Sequence, residues 1–306
     1  MYILNIDEIP VSDAFKKRLS SKYHVVEKAE RKGISNDKFL GVYCRFSQEI
    51  NLDFIGSFDN LKFVACNATG IDHIDELACQ EKGVNVYSLA KAADFLGQNV
   101  TSSSEHTWCL LLAAARNLKA HQSSLMNKIY DRNQHFGQQL KGKTLGLVGL
   151  GRNGEQLARY ASAFDMEMIY YDPYKFEKKF MRVSSLRELF TRSDIIVICC
   201  KLSSETRNMV DAKVLSAAKT GAILVNTARG EIVREDHLLD AVDRKLIAAY
   251  ATDVICNERN ALDSPIFRRS LHDDRIIITP HIGGATKDAW EITEVYLADL
   301  ILNNEL

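Results

Sequence analysis

Apolar residues in this chain fall in short runs separated by one-sided stripes, and the alternation continues from end to end. The runs Tyr2–Ile6, His24–Val26, Gly41–Cys44, Phe63–Ala65 and Asn85–Tyr87 read as buried strands. A second series follows at 145–148, 168–171, 195–199, 222–225, 248–252 and 276–278. Between the runs lie helical stripes such as Leu157, Ala158, Ala161 and Phe164. Strand and helix in strict alternation predict an α/β fold, with parallel sheets covered by helices. At 306 residues the chain fits two domains better than one small core.

The two series are separated by the polar segment Gly97 to Ser104, which reads as a loop capping a long helix through Trp108, Leu110–Leu112 and Ala113–Ala115. Ser102 and Glu105 match the spacing of a capping box. Residues 119–143 are polar and weakly periodic, as expected of an excursion over the surface or onto a partner subunit. The six later strands fit a six-stranded doubly wound sheet. A last helix, from about Thr286 to Leu302, lies beyond that sheet and can return to the first domain. The expected division is therefore residues 1–100 plus 287–306 as a substrate domain and 101–286 as a dinucleotide-binding domain. Both are expected to be Rossmann-like or flavodoxin-like, with an active-site cleft between them and hinges near 97–101 and 283–286.

Composition narrows the function classes. Hydrophobic residues make up 46% and charged residues 26%, an ordinary globular balance, and the net charge of −1 offers no field to recruit nucleic acid or an anionic membrane. No apolar run approaches the roughly 18 residues that span a bilayer, and the start, Met1 to Asp7, reads as a strand rather than a signal peptide. The seven cysteines are odd in number and mostly sit in apolar runs, which is the usage of reduced thiols in a cytoplasmic protein. Cys199 and Cys200, adjacent on a strand, must point to opposite faces. With no CxxC or HExxH spacing, no metal is expected.

The most specific local signal is Gly149-Leu150-Gly151-Arg152-Asn153-Gly154, placed between the strand 145–148 and a helical stripe. Gly149 permits the tight turn, Gly151 lets a pyrophosphate approach the backbone, and Gly154 lets the helix pack close to the sheet. The helix N-terminus presents unpaired N–H groups to the phosphates. Asp172 ends the next strand about twenty residues on, where a carboxylate accepts hydrogen bonds from ribose hydroxyls. A 2′-phosphate would meet like charge there, so NAD is expected rather than NADP.

Ligands of such a sheet bind beyond the carboxyl ends of its strands. Three late strands end in Asn226-Thr227-Ala228-Arg229-Gly230, in Thr252-Asp253-Val254-Ile255-Cys256-Asn257-Glu258 and in Thr279-Pro280-His281-Ile282-Gly283-Gly284. An arginine, a carboxylate and a histidine thus reach one edge. Reduction of a carbonyl by NADH needs a proton donor, and histidine titrates near neutrality. A carboxylate hydrogen-bonded to the imidazole holds it in orientation, and arginine clamps a substrate carboxylate with two parallel bonds.

Together these blocks resemble the D-isomer-specific 2-hydroxyacid dehydrogenase family, over essentially the whole chain, and most nearly its phosphoglycerate-dehydrogenase-like branch. The resemblance implies that Arg229 holds the substrate carboxylate, that His281 is the acid/base, and that Glu258 pairs with it. It also implies that Asp253 contacts the nicotinamide end. Cofactor contacts are expected at Gly149, Gly151, Arg152, Asn153, Gly154, Asp172, Thr206, Thr227, Ala228, Asp253 and Gly283. The segment Asn67 to Asp75 is implied as a substrate loop, with the amides around Thr69 and Gly70 binding carboxylate and His73 structural. Arg45 is expected to serve a second anionic group such as a phosphate.

Departures from the pattern are Asn153 in the glycine turn, Cys199-Cys200-Lys201-Leu202 where His-x-Pro-Leu is frequent, and Arg259 where proline is frequent. Lys201 could touch cofactor phosphate or be solvated. Glutamate rather than glutamine at 258 argues against a formate dehydrogenase. The end at residue 306 is expected to leave no room for the regulatory extension that some phosphoglycerate dehydrogenases carry. The family implies a homodimer, with residues 101–142 as the candidate interface. The substrate could be phosphorylated, or be hydroxypyruvate, glyoxylate or another short 2-oxo acid. The alternative from a different class is an NAD(H)-sensing binding protein of the same fold.

Overall fold

The computed structural model describes residues 1–46 and 48–303. Two units emerge, one formed by Met1–Val100 with the residues from Ala285 onward, the other by Thr101–Gly284. Of the expected first domain, residues 304–306 lie outside the described residues.

Unit 1 is built on five parallel strands, β1 (Tyr2–Asn5), β2 (His24–Val26), β3 (Phe39–Cys44), β4 (Phe63–Cys66) and β5 (Asn85–Ser88), in the order β2-β1-β3-β4-β5. Alternation along each strand splits its core in two. Leu4, Val42 and Val64 face one cluster, while Ile3, Tyr43, Phe63 and Ala65 face the other. The second face is covered by the helix Asp13–Leu19 through Phe15 and Leu19 and by the C-terminal helix Lys287–Asn303 through Leu297, Ala298 and Ile301.

That C-terminal helix is also fixed by charge. Glu294 is fully buried and accepts hydrogen bonds from the Ser12 amide (2.8 Å), the Tyr43 hydroxyl (2.7 Å) and Arg45 Nη2 (2.7 Å). Arg45 Nη1 reaches the Ile9 carbonyl at 3.2 Å and Asp7 at 3.4 Å, and its guanidinium lies 4.4 Å from the Trp290 ring centre. This corrects the expectation for Arg45. Both terminal nitrogens are spent on carboxylates and a carbonyl inside unit 1, so the charge that would attract a phosphate is already neutralised.

Unit 2 carries a seven-stranded parallel sheet in which β6 (Thr144–Val148), β7 (Glu167–Tyr171), β8 (Met181–Arg182), β9 (Ile195–Ile198), β10 (Ala222–Asn226), β11 (Ile247–Thr252) and β12 (Ile276–Ile278) take the order β12-β11-β10-β9-β6-β7-β8. Ile196, Ile198 and Leu224 point to one core cluster; Ile195, Val197, Ile223 and Val225 point to the other. Cys199 and Cys200 pack on opposite clusters, as their adjacency requires. The direction of winding reverses between β6 and β9, which sets the glycine turn after β6 at the switch point.

Three expectations need correction here. The sheet has seven strands, not six, because the two-residue β8 pairs with β7 through Ile169 and Met181. It is too short and too exposed to leave a periodic signal. Most of the supposed loop at 97–104 is helical: residues 97–99 end the helix Ala93–Asn99, anchored by the buried Leu96, and residues 102–104 open the next helix. The long helix Ser102–Ala115 is preceded by Thr101 rather than capped by Ser102; the Thr101 hydroxyl meets the Glu105 carboxylate at 2.5 Å, and Ser102 is buried inside the first turn. Residues 119–143 hold the rest of the helix Leu118–Met126 and then no regular element. Among the described residues, no helix is long and apolar enough to cross a membrane.

Removing one partner of a buried charge network leaves the others uncompensated, at a cost of about 3–5 kcal/mol. Arg45→Ala is therefore expected to destabilise the protein by that order, read as a lower urea midpoint; a midpoint unchanged from wild type would reject this role for the Arg45–Glu294 pair.

Candidate active site

The glycine turn follows directly from backbone sterics. Gly149 has φ +96°, and a Cβ there would stand 3.0 Å from the Cys200 backbone. At Gly154 a Cβ would lie 2.7 Å from the Gly149 carbonyl, so only glycine lets the helix Arg152–Ala163 begin this close to β6. Gly151 is different: nothing stands within 4 Å of where its Cβ would be. That open cradle sits at the N-terminus of a twelve-residue helix. Beside it, the Asn153 Oδ1 is buried without a partner. An open glycine, a helix N-terminus and an orphaned acceptor are what a dinucleotide phosphate and its neighbouring hydroxyls would complete.

Asp172 comes off β7 and holds the same turn. One carboxylate oxygen accepts from the Leu150 amide at 3.0 Å, the other from the Tyr174 (2.9 Å) and Lys175 (3.0 Å) amides. Across the turn, Cys199 donates its thiol hydrogen to the Gly149 carbonyl at 3.0 Å. Burial pushes both Cys199 and Cys200 thiols up, Cys200 to about 12, so neither is a nucleophile at neutral pH. Thr206 closes the loop after β9, donating to the Lys201 carbonyl at 2.7 Å, while the Lys201 residue itself is exposed.

The Arg229 turn is carried by the asparagine that opens its sequence block. Asn226, fully buried at the end of β10, accepts from the Ala228 amide at 3.1 Å and donates to the Arg229 carbonyl at 3.0 Å. A Cβ on Gly230 would collide with Ile255 at 2.1 Å, so the turn packs against the loop after β11. Thr227 meets Thr107 on the long helix, hydroxyl to hydroxyl, at 2.7 Å.

Asp253 follows β11 and is the hub of the next two loops. Its carboxylate accepts from the Thr279 hydroxyl (2.5 Å), the Ile282 amide (2.9 Å) and the Gly283 amide (2.7 Å), and lies 3.2 Å from His106 Nε2. Its carbonyl accepts from the His281 amide at 2.9 Å. Burial pushes this carboxyl up, but the bonds from His106, Thr279 and the two amides outweigh it and hold it below the ordinary carboxylate range. His106 lies in no sequence block; it also sits 2.9 Å from the Thr279 hydroxyl.

The frame presents His281 in the left-handed region, φ +53°, and Asn257 before Glu258 adopts the same φ. From these positions His281 Nδ1 meets Glu258 Oε2 at 2.7 Å. The loop carrying Glu258 is tied down by Glu235, which accepts from the Cys256 amide at 2.8 Å. Arg229, Asp253 with Glu258, and His281 thus follow β10, β11 and β12, three adjacent strands. In unit 1, Thr69 is exposed and Gly70 half-buried in the loop after β4, where Ala68 accepts from the Leu89 amide at 3.1 Å.

A doubly wound sheet with a fitted phosphate turn and a His–Glu pair at its carboxyl edge defines a dinucleotide-binding oxidoreductase fold. Residues 108–283 match the family described as D-isomer specific 2-hydroxyacid dehydrogenase, NAD binding domain. The chain belongs to that family, unit 2 is its NAD-binding domain, and NAD is the cofactor. It is 35% identical over 262 residues to a D-3-phosphoglycerate dehydrogenase of Methanocaldococcus jannaschii, covering 84% of this chain and 48% of that one. A hydroxypyruvate reductase of Thermotoga maritima is 33% identical over 258 residues, covering 84% and 82%. Among solved structures, a protein of Thermus thermophilus superposes with a TM-score of 0.84 at 27% identity, covering 99% of this chain and 96% of that one. The chain spans about half the length of the curated phosphoglycerate dehydrogenases it matches.

A carboxyl held below its ordinary pKa of about 4 contributes stability that is complete above that value and lost as pH falls through the lowered one. The stability advantage of wild type over Asp253→Asn in urea is therefore expected to shrink between about pH 6 and about pH 3. An advantage that grows on acidification would contradict the carboxylate hub.

Proposed function

We propose that the protein is an NAD-dependent dehydrogenase interconverting a D-2-hydroxy acid and its 2-oxo acid. The observation that carries the reading is the 2.7 Å His281–Glu258 pair, placed beyond β11 and β12 beside the Arg229 turn. NAD held by its phosphates at the glycine turn would supply, from its reduced nicotinamide, the hydride that the carbonyl carbon gains. Arg229 clamps the substrate carboxylate and fixes the adjacent carbonyl. His281, its Nδ1 engaged by Glu258, delivers the proton from Nε2 to the carbonyl oxygen, and takes it back in the oxidative direction. Glu258 fixes the tautomer and offsets the imidazolium charge. Gly151, Arg152 and Asn153 serve the phosphates, and Asp172 the adenosine ribose. Thr206, Thr227, Ala228 and Gly283 line the rest of the cofactor path. The loop at Thr69 and Gly70 offers amides to a carboxylate.

Asp253 takes a role in this reading that differs from a simple nicotinamide contact. Its carboxylate is committed to the turn that carries His281, so its first task is to aim the acid/base. His281→Ala is expected to lower turnover by about 10²–10⁴-fold, and Arg229→Gln to raise KM for the acid. The assay is loss of reduced-nicotinamide absorbance with a panel of phosphorylated and plain 2-oxo acids. Tight NADH binding with no turnover on any acid would sink the enzyme reading in favour of an NAD(H) sensor.

A homodimer is part of the proposal. Leu118, Leu125, Met126, Ile129, Tyr130 and Phe136 stand exposed along the segment 118–136, more apolar surface than a solvated excursion needs. Sedimentation equilibrium is expected to return twice the chain mass; a monomer at micromolar concentration would count against it.

A further inference from the structure

Two thiols and an imidazole meet at the carboxyl edge of the unit 1 sheet. Cys44 ends β3, Cys66 ends β4, and the parallel register sets them side by side. Both are buried at 0% exposure. The chain then loops out and returns with His73 above them. His73 is pinned by backbone bonds, its carbonyl accepting from the Ile50 amide at 2.9 Å and the Asp75 amide donating to Ile50 at 2.9 Å. The Phe46 ring packs 5.2 Å from the imidazole centre.

The separations are those of a shared ion. His73 Nε2 lies 3.7 Å from Cys66 Sγ, and one ligand atom from each of Cys44, Cys66 and His73 falls within 4.8 Å of the others. Nitrogen and sulfur ligands held at about 2.0–2.3 Å from a tetrahedral zinc stand about 3.6 Å apart.

We propose that Cys44, Cys66 and His73 bind one divalent cation of the zinc class, leaving its fourth position open to water. Uptake breaks the two S–H bonds, forms two metal–thiolate bonds and one metal–imidazole bond, and releases both thiol protons to solvent. The charges of cation and thiolates cancel, which suits a site at the edge of an apolar core. Cys66 and His73 bracket the loop Asn67–Asp72, so one ion staples its two ends. Any effect of that staple on turnover rests on reading this loop as part of the substrate site; cation uptake does not.

The test uses the full chain after chelator treatment, titrated with cobalt(II) and then zinc(II). Wild type is expected to take up one equivalent more than Cys66→Ser and to show an intense thiolate-to-cobalt charge-transfer band. His73→Asn, at a half-buried position that spares the core, is expected to weaken uptake by at least about 10-fold, the loss that follows even removal of a supporting partner. Zinc should slow amide exchange across residues 67–72 in wild type and leave it unchanged in His73→Asn. Circular dichroism of the cation-free variants separates a lost ligand from a lost fold. Equal uptake by wild type and His73→Asn, or no charge-transfer band, overturns the site. Normal cobalt uptake with no dehydrogenase turnover would sink the functional reading and leave the cation site standing.

Discussion

In a parallel sheet each strand must be entered from the same end, so each strand also finishes at the same edge. Everything chemical in this protein follows from that constraint. The strand interiors are buried on both faces and must be apolar, as Ile195–Ile198 and residues 222–225 are. Polar side chains are therefore displaced to the first positions beyond the strands. Gly149, Asp172, Arg229, Asp253 and His281 all occupy such positions. Where one of them is buried, as Asp253 is, its desolvation is offset by four donors that also shape the neighbouring loop.

This division explains what could be read from the sequence. Strands buried on both faces leave continuous apolar runs, so β6, β7 and β9 to β12 were legible within about a residue. The glycine turn was legible because its constraints are local: φ at Gly149 and close approach at Gly154 admit no other residue. Features built by distant partners were not. Arg45 looked available because Glu294 lies 249 positions away in sequence. His106 gave no motif, since its work is hydrogen bonding to side chains brought close only by the fold. The convergence of Cys44, Cys66 and His73 has no characteristic spacing either; strand register makes it.

The acid/base pair is held in backbone geometry that a free chain avoids. His281 and Asn257 both adopt left-handed φ, which costs about 1–3 kcal/mol at a residue other than glycine. Such conformations persist only where the surroundings over-determine them. Here the bonds from the His281, Ile282 and Gly283 amides to Asp253, together with Glu235 holding Cys256, supply that determination. The side chains of Glu258 and His281 are thereby oriented before any substrate arrives, which is the preorganisation that proton transfer at a fixed distance requires.

Glu294 brings together the Ser12 amide, Tyr43 and Arg45, and its helix helps cover the face formed by Ile3, Phe63 and Ala65. Unit 2 lies wholly between these partners in sequence. As the polypeptide leaves the ribosome, the first five strands emerge early but lack the helix that completes the cover of one face and the Glu294 carboxylate that pairs with Arg45. The Rossmann unit, contiguous from Thr101 to Gly284, has all its partners sooner. The unit begun first is thus the unit that finishes last, and its half-covered sheet face is the surface most in need of chaperone shelter during synthesis.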